Sequence, residues 1–246
     1  MPAKRYTMGY KSSIITILAP SSPVDERTLL DQLGLTAYEY TGDTTLEDAM
    51  YPNDKSVNIG YFNNCVIICD DYQLTNSLER AGVEQPAAYE AKLSALFPGS
   101  EILTTACHSV VNYHLYALAK DGVRIRYKMI SSDTPVVEFG EQLEEEVPIY
   151  ANSILKDGVR LFSSEFDDEI VYEYAEDQMM EDFTFGVAAR HLGVRLDTGD
   201  ADELSFDVPF KKYKKAGVAT GLMPKQDTTA SGTPSFFRRL LRKLGL

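Results

Sequence analysis

Apolar and basic side chains alternate strictly along the segment from Val123 to Met129. The apolar positions are Val123, Ile125, Tyr127 and Met129, and the basic positions between them are Arg124, Arg126 and Lys128. A period of two is typical of a β-strand that buries one face and turns the other toward solvent. Asp121-Gly122, which precedes the strand, is a strong two-residue hairpin signal. The pattern therefore predicts an antiparallel hairpin whose second strand buries its apolar row.

The same turn sets the register of the partner strand. If Asp121-Gly122 is the whole loop, Lys120 lies opposite Val123. The buried face then also carries Leu118, Tyr116 and His114. A slip of one residue would bury three cations, so the pattern favours a firm register. The sequence thus places four residues of this hairpin in the core: Tyr116, Leu118, Ile125 and Tyr127.

A second hairpin and several helices complete the pattern. Asn63-Asn64, residues that tolerate positive φ, join the segments 57–62 and 65–69, and the second arm (CVIIC) is predicted to be buried. Further strands are predicted over 12–19, 135–139 and the paired segments 154–155 and 160–162. Helices are predicted over 22–33, 74–81, 87–97 and 176–192. This mixture predicts an α+β domain over residues 1–215, with a predominantly antiparallel sheet and packed helices.

Charge is distributed unevenly along the 246 residues. The net charge is −13, but residues 211–246 hold nine basic residues and one acidic residue, a net +8. The other 210 residues carry 15 basic and 36 acidic residues, a net −21. A body this acidic repels phosphate backbones, so we expect no nucleic-acid partner.

Cysteine use and hydropathy indicate a compartment. Cys65, Cys69 and Cys107 are odd in number and too few for a disulfide framework. No apolar run reaches the roughly 20 residues that a membrane helix needs, and residues 1–11 lack a secretory apolar core. The sequence therefore predicts a cytoplasmic protein and gives no indication of its oligomeric state.

Four segments carry a family resemblance: GDTTLEDAMYP (42–52), HSVVNYHLYALAKDGVRIRYKMISSD (108–133), VVEFGEQL (136–143) and FTFGVAARHLGVRLD (183–197). The sequence resembles a family of uncharacterised bacterial proteins with a TL-x-D-A-x-Y-P segment, an H-S-V-V strand before a D-G hairpin, and an I-G-E-x-L-x-F-E segment. The end of the last motif departs from that pattern at Glu145, which stands where the pattern has Phe. The resemblance covers residues 42–143 and 182–197 and implies a single α+β domain, with no activity or ligand attached. The tail from Ala216 onward lies outside it.

Histidine and cysteine residues are the first candidates for chemistry. His108 stands between Cys107 and Ser109, but adjacent side chains of a strand point to opposite faces, which disfavours a nucleophile–base pair. Cys65 and Cys69 would share one side of a helix, as zinc ligands do. The apolar residues between them indicate a strand, in which they would lie about 13 Å apart. We therefore interpret these cysteines as buried and free.

Acidic residues are the second candidate. Asp43, Glu47, Asp48, Asp70 and Asp71 could assemble a divalent-cation or acid–base site, although Asp43 is also a natural helix cap. The acidic runs 141–146, 167–169 and 176–177 are interpreted as solvated faces or helix-start charges. The sequence has no P-loop, dinucleotide-binding or HExxH motif. It therefore assigns no catalytic residue, no metal ligand and no cofactor, and it leaves His114 without a role.

The segment 235–246 (SFFRRLLRKLGL) is the clearest functional signal. Placed on a helix, it separates an apolar face from a basic face and contains no acid. The predicted binding residues are Phe236, Phe237, Arg238, Arg239, Leu240, Leu241, Arg242, Lys243 and Leu244. One-sided charge of this kind is typical of amphipathic helices at membrane surfaces. A turn-rich linker over 216–234 joins it to the domain, with a root-mean-square reach of about 24 Å.

Two classes of function follow from this segment. The first hypothesis is a non-catalytic cytoplasmic module that is recruited, as a peripheral protein, to an anionic membrane surface. The alternative is a protein-interaction module whose C-terminal helix docks into a groove of a partner protein. Packing of the helix on its own acidic domain, and an enzyme with an unrecognised carboxylate-lined site, are further alternatives. Salt separates the first two, because it weakens attraction to charged lipid more than contact with an apolar groove.

Overall fold

The computed structural model describes residues 10–20, 24–50, 54–131, 134–166 and 169–217. Within these ranges, twelve strands form two sheets. In chain order they are β1 (Lys11–Leu18), β2 (Tyr38–Thr44), β3 (Val57–Phe62), β4 (Cys65–Asp70), β5 (Glu101–His108), β6 (Tyr113–Lys120), β7 (Val123–Ser131), β8 (Thr134–Phe139), β9 (Ser153–Lys156), β10 (Val159–Phe166), β11 (Glu169–Ala175) and β12 (Phe210–Lys215). The large sheet has the order β2-β12-β3-β4-β1-β5-β6-β7-β8, and the small sheet has the order β11-β10-β9. All neighbouring strands in both sheets are antiparallel.

Six α-helices accompany the sheets in the described ranges: α1 (Glu26–Leu33), α2 (Leu46–Met50), α3 (Leu78–Ala81), α4 (Ala88–Leu96), α5 (Val147–Ala151) and α6 (Met180–Leu192). Short 3-10 turns precede α3 and α6, at Thr75–Ser77 and Glu176–Met179. The structure confirms the predicted α+β class and its predominantly antiparallel sheet. Helix α1 begins at Glu26, after the predicted start, because Asp25 caps it by accepting a 2.9 Å hydrogen bond from the backbone of Thr28.

Both predicted hairpins are present. Asn63 and Asn64 adopt φ of 45° and 58° between β3 and β4, and Asp121 and Gly122 adopt φ of 48° and 76° between β6 and β7. Two successive residues with positive φ match the right-handed twist of the flanking strands. The turn chemistry in the sequence was therefore sufficient to locate both connections.

Helices cover both faces of the large sheet. We call one the α6 face, because α6 and α2 pack on it; its strand residues include Ile14, Cys107, Tyr116 and Leu118. We call the other the α4 face; Tyr89 of α4 hydrogen-bonds Thr104 there at 2.6 Å, and α1 packs beside α4. A sheet covered on both faces buries both rows of side chains in its central strands. For this reason, side chains on both faces of the alternating segment in β7 can be buried.

Strand β7 contains a bulge that its alternation conceals. The pairs next to the turn are as predicted, Lys120 with Val123 and Ala119 with Arg124. Leu118 then pairs with Arg126 rather than with Ile125, so Ile125 is an extra residue in β7. An extra residue of this kind exchanges the faces of all the side chains that follow it. The predicted register is therefore wrong beyond the first two pairs.

The bulge corrects the predicted core. Tyr116, Leu118 and Tyr127 are buried, as predicted, but Tyr127 points to the α4 face and does not share the α6 face with the other two. The prediction for Ile125 is wrong, because its residue surface is 38% exposed. Val123, in the same apolar row, is 62% exposed. The apolar row is thus split between core and solvent.

The three cations of β7 are buried, contrary to the prediction that they face solvent. Each has a carboxylate partner from a distant segment: Arg124 with Glu90, Arg126 with Glu146, and Lys128 with Glu176. The ammonium of Lys128 also lies 4.0 Å from the centre of the Phe183 ring. An unpaired charge in this environment would be prohibitively unfavourable, so the pairs are what allow the cations to be inside.

The acidic run 141–146 is only partly a solvated loop. Glu146, its last residue, is fully buried and accepts hydrogen bonds from Arg126, from the hydroxyl of Tyr116 and from the backbone of Leu143. The prediction of a solvated acidic face is therefore wrong for this residue. Strand β12 is not among the strands that the sequence predicts.

The bulge gives a simple test of the corrected core. The alternation alone implies that Ile125→Asp buries a carboxylate and destabilises the fold by several kcal/mol. The structure instead predicts a loss of about 1 kcal/mol or less, because the side chain reaches water. Leu118→Ala, at a buried position, should lose about 2–5 kcal/mol. Urea unfolding of the two variants measures both values. A loss of stability for Ile125→Asp that exceeds the loss for Leu118→Ala would contradict the bulge.

Candidate functional site

The basic stretch FKKYKK is strand β12, between β2 and β3, and its lysines are largely engaged. Lys211 binds Glu26 at 2.6 Å, and Lys212 and Lys214 bind Asp54 at 2.7 and 3.0 Å. Although burial raises the pKa of Asp54, hydrogen bonds from Lys212, Ser56 and Lys214 hold it well below its usual range overall. These lysines neutralise nearby acids and do not form a free basic surface.

The predicted linker over 216–234 and the predicted helix over 235–246 lie outside the described residues, apart from Ala216 and Gly217. The nine predicted binding residues, Phe236 to Leu244, therefore stay a prediction from the sequence. Within the part of the chain that is described, no helix combines the length and the apolar character that crossing a bilayer requires.

The acidic candidates are separated by the sheet. Asp70 ends β4 and points to the α4 face, where it accepts hydrogen bonds from the Ser13 hydroxyl at 2.6 Å and the backbone of Leu74 at 2.7 Å. Helix α2, with Glu47 and Asp48, packs on the α6 face. Asp43 lies on β2, three strands away from β4. Asp71 is 4.0 Å from Lys11. The structure therefore does not bring these five acids together.

Cys65, Cys69 and His108 lie in positions that do not suit metal binding or catalysis. Cys65 and Cys69 are buried, free and four residues apart on strand β4, as their apolar surroundings predict. Cys107 and His108 are consecutive residues at the end of β5, so their side chains leave the strand on opposite sides. His108 is thus not placed to activate its neighbour, in agreement with the sequence analysis.

Three residues of different type do meet where β5 and β6 join. Cys107 on β5 lies directly opposite His114 on β6, and Glu181 is the second residue of α6, which packs over both strands. The Cys107 sulfur, a His114 ring nitrogen and a Glu181 carboxylate oxygen all lie within 4.8 Å of one another. Cys107 and His114 are buried, and Glu181 is exposed. We call these three residues the CHE cluster.

Burial controls the protonation of the CHE cluster. It raises the pKa of the Cys107 thiol to about 12, and the charge of Glu181 adds to that shift. It lowers the pKa of the His114 imidazole from 6.5 to about 4. Partial burial and the charges of Asp197 and Asp182 raise the pKa of Glu181. At neutral pH the cluster thus holds a neutral thiol and a neutral imidazole beside an exposed carboxyl group.

These surroundings do not suit a nucleophilic cysteine. A reactive thiol needs a lowered pKa, an electropositive environment and partial exposure. Cys107 has a raised pKa, a nearby acid and no exposure. Neutral imidazole, carboxylate and a thiol that loses its proton on binding are, in contrast, the ligands that transition metals take in proteins.

The CHE cluster could not be recognised in the sequence, for a physical reason. Its members are residues 107, 114 and 181, so no motif with local spacing marks them. The pairing of Cys107 with His114 depends on the connection between β5 and β6, where a 3-10 turn leads to Asn112 with φ of 46°. The H-S-V-V segment that carried the family resemblance forms this connection, which is the one signal that could have drawn attention to it.

These features define an α+β protein with a nine-stranded antiparallel sheet that is covered on both faces. The chain belongs to a family of unknown function, DUF6928, whose model matches residues 17–207. No curated protein and no solved structure matches the chain. The matched range includes the whole CHE cluster and ends before β12, so residues 235–246 lie outside it.

Proposed function

We propose that this protein is a non-catalytic module recruited to an anionic membrane surface through residues 235–246. The observation that carries the proposal is the composition of residues 236–244: five large apolar and four basic residues separate onto two faces of a helix, with no acid. Basic amphipathic helices that lie in the membrane interface have this character. The proposal rests on the sequence of the segment. Two observations on the folded domain bear on it: the pairing of the β12 lysines and the environment of Cys107.

The first observation from the domain is that lysines of β12 are paired with acidic residues. Lys211, Lys212 and Lys214 are paired with acids of the domain, so they are poor candidates for attracting anionic lipid. The remaining 210 residues of the chain outside 211–246 carry a net −21 and repel such a surface. Attraction to lipid is therefore assigned to the cations between 235 and 246.

The second observation from the domain is that Cys107, which lies beside the His114 imidazole, lacks the features of a nucleophile. Cys107 is buried, and burial holds its thiol protonated. Nucleophilic catalysis by this thiol is therefore not part of the proposal.

The energetics favour weak attachment of a single chain. Four cations close to an anionic leaflet contribute about 1 kcal/mol each, and the buried apolar side chains add to this. Ordering a helix of 12 residues opposes binding, because so short a helix is marginal alone in water. Several chains on one surface would bind much more tightly than one.

Sedimentation with liposomes tests the proposal. Full-length protein should sediment with anionic vesicles and stay in solution with neutral ones. A truncation after Lys215 and the double variant Leu240→Glu/Leu241→Glu should both lose binding, because the first removes the segment and the second places charge on its apolar face. The matched control is Lys215→Ala, which removes a cation from the domain and should leave binding unchanged.

Three outcomes would overturn the membrane proposal. Equal sedimentation with neutral and anionic vesicles would show that the charge of the lipid does not drive binding. Membrane binding by the truncated protein would show that the domain, and not residues 235–246, binds the lipid. Full-length protein that ignores all vesicles, while the 235–246 peptide binds one defined protein saturably, would establish the groove-docking alternative instead.

A further inference from the structure

We propose that Cys107, His114 and Glu181 bind one divalent transition-metal ion of the zinc class. This inference is independent of membrane recruitment, because it concerns the folded domain and none of the residues from 216 to 246. It rests on the convergence of three ligand types from β5, β6 and α6. A thiolate, an imidazole and a carboxylate are the ligands that zinc takes in proteins.

The spacing is compatible with a site that closes on a metal ion. Zinc bonds of roughly 2.0–2.3 Å in tetrahedral geometry place neighbouring ligand atoms about 3.5 Å apart. The three candidate atoms lie within 4.8 Å of one another, so no pair has to approach by more than about 1 Å. Cys107 and His114 are fixed by their strands, whereas Glu181 has an exposed side chain on the first turn of α6. Glu181 is therefore the ligand with the most freedom to adjust to the ion.

The hydrogen bonding of His114 is a second, independent observation. His114 is 2% exposed, and its Nδ1 atom has no hydrogen-bond partner within the described ranges. A buried polar atom without a partner is unfavourable, because it has lost water and gained nothing in exchange. The proposal places the metal ion at Nδ1, where it supplies the missing partner. The thiol of Cys107 is similarly weakly engaged, with a 3.9 Å contact to the backbone oxygen of Tyr10.

The ligand set selects the class of metal. Calcium and magnesium prefer sites made entirely of oxygen, and a thiolate disfavours them. Three protein ligands leave one tetrahedral position for a water molecule, and the exposed side of Glu181 provides the entry path. The ion would join α6 to the centre of the large sheet, so its binding should stabilise the fold.

The experiment uses full-length protein with reduced thiols, titrated with Zn²⁺ and separately with Co²⁺. We expect one equivalent of zinc and a melting temperature that rises by about 5 °C or more at 100-fold excess over the dissociation constant. Cobalt should give the near-ultraviolet charge-transfer band of a thiolate ligand. Cys107→Ser should abolish that band, and Cys65→Ser, which changes an equally buried thiol on β4, should keep it.

Glu181→Gln keeps the proposal testable if Cys107→Ser does not fold, because Glu181 is exposed. It should weaken zinc binding by at least about 10-fold, since even the outer partners of a metal site contribute that much. Asp200→Asn, at an exposed acid outside the CHE cluster, is the matched control and should bind normally. The absence of saturable zinc binding by the full-length protein would overturn the proposal. So would equal affinities of Glu181→Gln and Asp200→Asn, or a cobalt band that Cys107→Ser retains.

Discussion

Glu146→Gln should lower the free energy of unfolding by about 3–5 kcal/mol, because it removes the charge of a fully buried carboxylate that pairs with the buried guanidinium of Arg126. Arg126 is 1% exposed and donates to Glu146 from Nε at 2.9 Å and from Nη2 at 2.7 Å. Glu146 also accepts from the hydroxyl of Tyr116 at 2.6 Å and from the backbone of Leu143 at 2.7 Å. The substitution keeps the shape of the side chain, so the loss reports charge and hydrogen bonding.

The matched control for this prediction is Glu138→Gln. Glu138 binds the same guanidinium at 2.7 Å, but its side chain is 49% exposed. Because water can solvate the guanidinium and the substituted side chain at this exposed site, we expect Glu138→Gln to lower the free energy of unfolding by about 1 kcal/mol or less. Urea unfolding of the two variants gives both free energies. Equal losses would show that the burial of Glu146 contributes nothing, and the account of the buried cations would be wrong.

Gly140→Ala should be comparably damaging, with a loss of about 2–5 kcal/mol. Gly140 has φ of 83°, and a Cβ atom there would lie 1.9 Å from the backbone oxygen of Ile125. That oxygen belongs to the bulged residue of β7, and Arg126, the next residue, donates to the backbone oxygen of Gly140 at 2.9 Å. Neither backbone segment can move without disturbing the buried guanidinium.

Gly122→Ala separates the two causes of that loss. Gly122 has a similar φ of 76°, but a Cβ atom there would meet nothing within 4 Å. Its loss should come from the left-handed backbone alone, which is about 1–2 kcal/mol for a residue with a Cβ. The difference between the two glycine variants in thermal or urea unfolding then measures the clash with β7. If Gly140→Ala proved no worse than Gly122→Ala, the close approach of the two segments would be refuted.

Local chemistry in the sequence was enough to locate both hairpin turns and the end of helix α6. Asn63-Asn64 and Asp121-Gly122 located the two hairpins, because positive φ at two successive positions is a strong preference of few residue types. Gly193 marked the end of the long helix α6 in the same way, with φ of 76° at its C-cap. These signals need no knowledge of the rest of the chain.

The faces of β7 could not be predicted from its own residues. The alternation of apolar and basic side chains indicates one buried face only when the other face meets water. Here both faces are covered, and the acids that neutralise Arg124, Arg126 and Lys128 come from α4, from the segment before α5 and from the turn before α6. Long-range pairing of this kind reverses the meaning of a local pattern.

The CHE cluster escaped sequence analysis for a related reason. His114 was assigned to the buried face of its hairpin, and Cys107 was weighed only against its neighbour His108. The register of β5 against β6 places Cys107 opposite His114, and the packing of α6 adds Glu181. A site assembled across strands by tertiary packing has no fixed spacing to recognise.

The most direct measurement of the proposed function is the affinity of the full-length protein for anionic liposomes as a function of ionic strength. The account predicts that the association constant falls steadily as salt rises, because the cations between 235 and 246 supply the attraction and salt screens it. The truncation after Lys215 should show no binding at any salt concentration. An association constant that does not change with ionic strength would contradict recruitment by these cations.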